Sequence, residues 1–258
     1  MRPTDRKLVE ERFWNERVTT NRRFFRRNWY RFANQYLWHR VLEALGDLRG
    51  HRLLFVGCGT ASTAARDLAE RGAEVFCEDI SPESIRHLMQ YAFGETQARI
   101  HPIVADAEQL PFGRSVFDAV IGKAIVHHLD VAAFMQEIDR VCVHGATVVF
   151  SEPVGTNPLI NLFRLLTPSL RVPTEHPLRR HDIELIRQCC DSFEQHHHFL
   201  FSMVGFPWFF LGLPRIGRIF FNAGCWLDHL VFRAIPPVRW LAWSVTLVGR
   251  TRGAAREI

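Results

Sequence analysis

Leu53-Leu54-Phe55-Val56-Gly57-Cys58-Gly59-Thr60-Ala61 is an apolar run that ends in a glycine turn. Four consecutive apolar residues bounded by glycine read as a buried strand, and the small-residue segment 62–71 reads as the helix that follows it. Glycines let such a turn bend sharply and let backbone amides approach a ligand, with the helix N-terminus behind them. Further on, Glu78-Asp79 closes the next apolar run. A carboxylate at that place can accept from both hydroxyls of a ribose. The turn alone is a weak signal, shared with nicotinamide enzymes and with tight turns that bind nothing.

Around this turn, short apolar runs alternate with helical stretches. Residues 52–56, 74–77, 100–105, 117–121 and 147–150 read as strands, Pro82 opens a helix, and Phe134, Ile138 and Val141 mark a helix face. This alternation predicts an α/β fold, a parallel sheet covered by helices on both faces. After Ser151 the alternation pauses in a proline-bearing segment. Residues 181–190 then read as a helix, 196–204 as a strand and 243–249 as the last strand. Before the domain, Phe25, Trp29, Phe32 and Tyr36 recur at helical spacing among Arg22, Arg23, Arg26, Arg27 and Arg31, an amphipathic basic helix. The expected division is an N-terminal helical extension, 1–48, and a domain over 49–258 with insertions at about 152–180 and 205–241.

Composition bounds the function. The chain has 258 residues, 47% hydrophobic and 23% charged, which suits a globular domain and excludes wholesale disorder. Residues 1–50 carry 12 Lys and Arg against 6 Asp and Glu, and residues 199–258 carry 7 against 2. The middle, 51–198, carries 13 against 19, so the chain does not read as a general nucleic-acid binder. Two basic ends permit contact with an anionic membrane surface. No apolar signal segment stands in 1–21, and the longest uncharged stretch, 199–214, is too short and proline-broken to span a bilayer. Six cysteines without a CxxC make a zinc ribbon unlikely and fit reduced thiols in a cytoplasm.

Further motifs follow the glycine turn in order. They are Glu78-Asp79-Ile80-Ser81-Pro82, Asp106-Ala107-Glu108-Gln109-Leu110-Pro111-Phe112, Phe117-Asp118-Ala119-Val120-Ile121-Gly122, His127-His128-Leu129 and Glu137-Ile138-Asp139-Arg140-Val141. With these, residues 50–152 resemble the class I S-adenosylmethionine-dependent methyltransferases, in particular the type 11, ubiquinone- and menaquinone-biosynthesis-like group. The resemblance implies a Rossmann-like, doubly wound seven-stranded sheet, mostly parallel with an antiparallel last strand. It implies S-adenosylmethionine as cofactor, with Gly57 and Gly59 near its methionine end, Asp79 on the ribose hydroxyls, and Asp106 and the Ala107 amide on the adenine edge. Cys58, Thr60, Ile80 and Lys123 complete the implied cofactor set. Three positions depart from the group's pattern: Phe55 stands where many relatives have an acid, Ala61 replaces a glycine, and His144-Gly145-Ala146 replaces a Pro-Gly-Gly turn.

Methyl transfer requires an aligned nucleophile, exclusion of water and, for some acceptors, removal of a proton. His127 and His128 follow the fourth strand and are the candidate bases, since histidine titrates near neutral pH; a packing role is the alternative. Glu152 and His176 are secondary candidates. Asp118, at a strand start, reads as structural. His196-His197-His198 reads as an edge strand rather than a metal site, and Cys189-Cys190 as ordinary thiols on a helix. No metal site is expected, and no metal-assisted catechol pattern stands at Gly122-Lys123-Ala124-Ile125. By elimination the acceptor is the oxygen of a small hydrophobic or lipid-linked metabolite. The rival readings are a non-catalytic methyltransferase-like subunit and a nicotinamide-dependent oxidoreductase. Both insertions should rise over the site. Residues 199–249 hold 12 of the 31 aromatics, among them Phe206, Trp208, Phe209, Phe210, Phe220, Phe221 and Trp226, a cap suited to either a membrane interface or a buried lid.

Overall fold

β1 (Arg52–Val56) lies inside the sheet because both of its faces are apolar. Leu53 and Phe55 enter one core and Leu54 and Val56 the other, as strand alternation requires. In the computed structural model, which describes residues 3–19, 28–91, 95–167, 172 and 174–252, seven strands form one sheet. They are β1, β2 (Glu74–Asp79), β3 (Ile100–Val104), β4 (Phe117–Lys123), β5 (Cys142–Pro153), β6 (Cys190–His198) and β7 (Ser244–Thr251). Their order is β3-β2-β1-β4-β5-β7-β6. β1 to β5 pair in parallel, and β7 runs antiparallel between β5 and β6. The expected doubly wound α/β sheet with a reversed last strand is present.

Helices cover both faces. α2 (Asn28–Leu45), α3 (Ser62–Glu70) and α4 (Pro82–Tyr91) pack on the Leu53–Phe55 side through Val41, Leu45, Leu68 and Leu88. α5 (Val131–Val141) and α7 (Arg180–Gln188) cover the other through Phe134, Ile138 and Ile186. The remaining helices are α1 (Pro3–Thr19), α6 (Pro158–Leu166), α8 (Phe206–Phe210) and α9 (Pro214–Ala234). Phe55, the departure from the acidic pattern, is buried against Trp38 of α2, their rings 6.4 Å apart and 23° from parallel. An aromatic core contact replaces the carboxylate at that position.

Several boundaries differ from the sequence reading. α1 lies inside the 1–48 segment expected as a helical extension, where the periodicity marks only the later helix; its buried positions include Glu10, so apolar periodicity is missing. The Arg22–Arg27 arginines and Phe25 of the expected basic helix lie outside the described residues. β5 begins at Cys142, directly after α5, so His144-Gly145-Ala146 lies within the strand. β6 spans Cys190–His198 rather than 196–204. It is an edge strand, with polar residues at most positions, which hides its alternation. The apolar run after it instead leaves the sheet at Phe199, whose φ is +69°, and continues as a 3-10 turn over Phe201–Gly205. Cys190 therefore starts a strand, and Cys189 caps α7.

The aromatic segment after β6 is in large part a third core. Phe199, Phe206 and Phe221 are buried with Ala33 and Leu37 of α2, and Phe209 stacks on Phe32 at 4.8 Å. Phe210, Phe220 and Trp226 stay exposed. The segment is thus fastened to α2 by one set of rings while another set meets solvent.

Candidate active site

The carboxyl ends of β1, β2 and β4 and the residues after β3 converge on one cleft of about 250 Å³. Gly57, Cys58, Gly59, Asp79, Ile80, Asp106, Ala107 and Lys123 all line it; Thr60, on the same turn, is exposed and does not. Gly57 and Gly59 have φ of +56° and +54°, a region that favours glycine. A Cβ on Gly57 would fall 2.4 Å from Ile125, whereas one on Gly59 would meet nothing within 4 Å. Gly57 is therefore required by packing, and Gly59 leaves the turn open.

The two acidic motifs hold the turn. Asp79 accepts from the Gly59 amide at 2.8 Å and the Ser81 amide at 2.9 Å. Glu78, fully buried beside it, accepts from the Gly57 amide at 3.2 Å. Burial raises the Glu78 carboxyl well above its ordinary value, with Asp79 and Asp106 adding to the rise, and burial likewise raises Asp79. Asp106 accepts from the Glu108 amide at 2.9 Å and is ion-paired with Lys7. Asp118 accepts from the Arg52 amide at 2.9 Å, away from the cleft, in the structural role expected of it.

α1 supplies a wall that the sequence reading missed. Arg6 pairs with Glu108 and donates to the His128 carbonyl at 2.6 Å, Lys7 pairs with Asp106, and Glu10 and Trp14 also line the cleft. Asn15 accepts from the Ser81 hydroxyl at 2.7 Å. The signal was faint because α1 makes these contacts through polar side chains.

His127 and His128 form the 3-10 turn after β4, both buried, their rings 4.2 Å apart. His127 Nδ1 lies 2.7 Å from Glu152 Oε2. The other Glu152 oxygen accepts from the Ile125 and Val126 amides at 2.9 and 3.0 Å. His128 Nδ1 lies 3.3 Å from Glu10 Oε1. Burial works against the Glu10 anion, but His128, Thr174 and Trp14 together hold its carboxyl below the ordinary value. His176 is placed behind this pair, its amide donating to the His127 carbonyl at 3.1 Å. Glu152, a secondary candidate, is thus the group that orients His127, and Glu175 is a neighbour that sequence reasoning did not name.

A second, apolar cavity of about 630 Å³ adjoins the first, and both are lined by Trp14, Lys123, Ala124 and His128. Its walls come from both insertions, through Ile160 and Arg164 and through Phe206 and Phe210, from Met203 in the turn before the second, and from α1 and α2. Lys123 stands at the junction, its Nζ 3.4 Å from the Asn34 carbonyl, and burial lowers it to about 8. The His196–His198 tract lies apart on β6, where His198 bonds Thr246 Oγ1 at 3.1 Å and burial lowers it to about 3.

Known proteins carry the same pattern. Residues 54–150 match the family described as a methyltransferase domain. The protein has the methyltransferase fold. An O-methyltransferase of Penicillium expansum, cnsE, is 30% identical over 116 residues, 44% of this chain and 42% of that one. The ubiquinone biosynthesis O-methyltransferase of Alkalilimnicola ehrlichii is 32% identical over 128 residues, 49% of this chain and 51% of its own. The chain spans about half the length of these curated relatives. Geranyl diphosphate C-methyltransferase from Streptomyces coelicolor A3(2), solved with Mg2+, geranyl diphosphate and S-adenosyl-L-homocysteine, superposes with a TM-score of 0.65. That match covers 98% of this chain and 100% of the other at 12% identity, a likeness of fold. The resemblance read from the ordered motifs is borne out.

Proposed function

We propose that the protein is an S-adenosylmethionine-dependent methyltransferase that methylates an oxygen of a small, hydrophobic or lipid-linked acceptor. The observation that carries this reading is the pair of adjoining cavities, one lined by glycines and carboxylates, one largely by aromatic rings, meeting at Trp14, Lys123, Ala124 and His128. The glycine-lined cleft fits the cofactor chemically: Asp79 offers lone pairs to two ribose hydroxyls, Asp106 to an amino group, and Gly59 leaves room for close approach. When bound, the cofactor supplies a sulfonium methyl group. Gly57, Cys58, Gly59, Asp79, Ile80, Asp106, Ala107 and Lys123 are assigned to its binding, and Thr60, which faces solvent, is left out.

The chain's own residues do the rest. Phe206, Phe210, Met203 and Ile160 exclude water from the acceptor side. His127, held by Glu152, and His128, held by Glu10, meet the acceptor hydroxyl and ease the loss of its proton. The relatives named as O-methyltransferases support oxygen as the acceptor atom. The exposed Phe210, Ile219, Phe220 and Trp226, with Arg215 and Arg218 between them, support delivery of the acceptor from an anionic membrane surface. No helix among the described residues is long and apolar enough to cross a membrane.

Calorimetry with S-adenosylmethionine, S-adenosylhomocysteine and NADH tests the cofactor, followed by a methyl-release assay on phenolic and prenylated acceptors. Binding of NADH alone would overturn the reading, and binding without turnover would favour a non-catalytic subunit. Flotation with anionic liposomes tests the membrane part, which fails if the protein stays in the soluble fraction at low salt.

A further inference from the structure

The two histidines are oriented in a way that a lone base does not need. Each directs Nδ1 at a carboxylate, His127 at Glu152 and His128 at Glu10. A carboxylate only accepts, so each Nδ1 carries the proton and each neutral ring keeps its lone pair on Nε2. Carboxylate–histidine pairs of this kind fix the tautomer of metal-ligating imidazoles. A third donor is in place: His127, His128 and Glu175 each offer one ligand atom within 4.8 Å of the others, and His128 Nε2 is 3.9 Å from a Glu175 oxygen. Arg164 holds the other Glu175 oxygen at 2.6 Å. All three residues line the apolar cavity. Around the two imidazoles stand the carboxylates of Glu10, Glu152 and Glu175, with Arg164 on the last of them.

The geometry points to a divalent cation held by His127, His128 and Glu175, its open coordination positions facing the acceptor cavity. The donor set, two imidazole nitrogens and one carboxylate, suits zinc, manganese or iron(II). This departs from the metal-free expectation and deepens the proposed function, on which its catalytic part rests. The cation would ligate the acceptor hydroxyl and lower its pKa. The O–H proton passes to water while its electron pair stays on oxygen. That pair forms the new O–C bond as the methyl carbon separates from sulfur, which keeps the C–S pair. An acceptor with two adjacent oxygens would fill two open positions at once, so vicinal diols and catechol-type rings are the substrate class.

The test uses the full chain, stripped with a chelator and titrated with cobalt(II) chloride by visible absorption and with zinc chloride by calorimetry. One equivalent is expected to bind the wild type. His128→Asn and Glu175→Gln should each weaken binding at least tenfold, and Glu152→Gln about tenfold or more through His127. S-adenosylhomocysteine binding, unchanged in Glu175→Gln and Glu152→Gln, neither of which lines the cofactor cleft, reports that these variants are folded and that the cofactor reading stands by itself. The exposed His196 is changed to alanine to account for the histidine tract. The proposal is overturned if the stripped wild type takes up no cation, if the site variants bind as well as wild type, or if His196→Ala alone abolishes uptake.

Discussion

Asp79 accepts from the amide of Gly59 at 2.8 Å, across 20 positions of sequence. The end of β2 thus clamps the turn after β1, and the same carboxylate that the cofactor would use also shapes its binding loop. Asp79→Ala and Asp106→Ala are each expected to weaken S-adenosylmethionine binding by roughly 1.5–3 kcal/mol, the worth of a charged hydrogen bond. Asp79→Ala should lower the melting temperature as well. Calorimetry and thermal denaturation check both, and unchanged affinity in the two variants would remove the cofactor assignment.

The two glycines of the turn should separate under substitution. Gly59→Ala meets only the left-handed backbone penalty, about 1–2 kcal/mol, since nothing lies near its Cβ. Gly57→Ala adds a collision with Ile125, for which overpacking typically costs about 1–3 kcal/mol more. Urea unfolding of the pair should rank Gly57→Ala as clearly the less stable; equal midpoints would mean that Ile125 moves aside freely.

Lys123 predicts a pH dependence. Burial lowers its folded pKa to about 8, against an ordinary 10.5. Between those values the unfolded chain carries a proton that the folded one lacks, so stability climbs as pH rises through this window. Below pH 8 the buried ammonium costs roughly 3 kcal/mol. Lys123→Met should therefore be more stable than wild type at pH 7, and the difference should shrink toward pH 10. A sulfonium in the same cleft repels the ammonium. Affinity for S-adenosylmethionine should rise through pH 8 while that for the uncharged-sulfur product does not, a ratio that calorimetry reads.

His198 should make the protein acid-sensitive. Its folded pKa is pushed by burial to about 3, below the ordinary 6.5. The stability it contributes is present above pH 6.5 and lost as pH falls from there toward 3. From pH 6.5 to 5 the loss is roughly 2 kcal/mol. Urea unfolding at the two pH values should show this loss, and His198→Met should reduce it.

What the sequence disclosed and what it hid follow from where side chains point. β1, β2 and β4 were legible because strands buried on both faces carry an unbroken apolar run, Leu53–Val56, Val75–Cys77 and Ala119–Ile121. The cleft residues were legible because glycines and carboxylates end those strands. β6 was displaced because an edge strand need not be apolar, and the phenylalanines beyond it belong to α2's core rather than to a sheet. α1 and Glu175 were hidden for a different reason. α1 reaches the site through ion pairs with partners about a hundred positions away, such as Lys7 with Asp106, and Glu175 through Arg164 and His128, and no local period encodes such pairings.

α1 is joined at once to the cofactor cleft by Lys7 and Arg6, to His128 by Glu10, and to the first insertion by the contact of Glu10 with Thr174. One helix therefore reports on both cavities. Under the proposed function, spent cofactor leaving past α1 would loosen contacts on the acceptor side as well, which would couple its discharge to reloading. Because those contacts are largely ionic, salt should hasten the discharge, and turnover at saturating substrate should rise with ionic strength before the fold itself weakens.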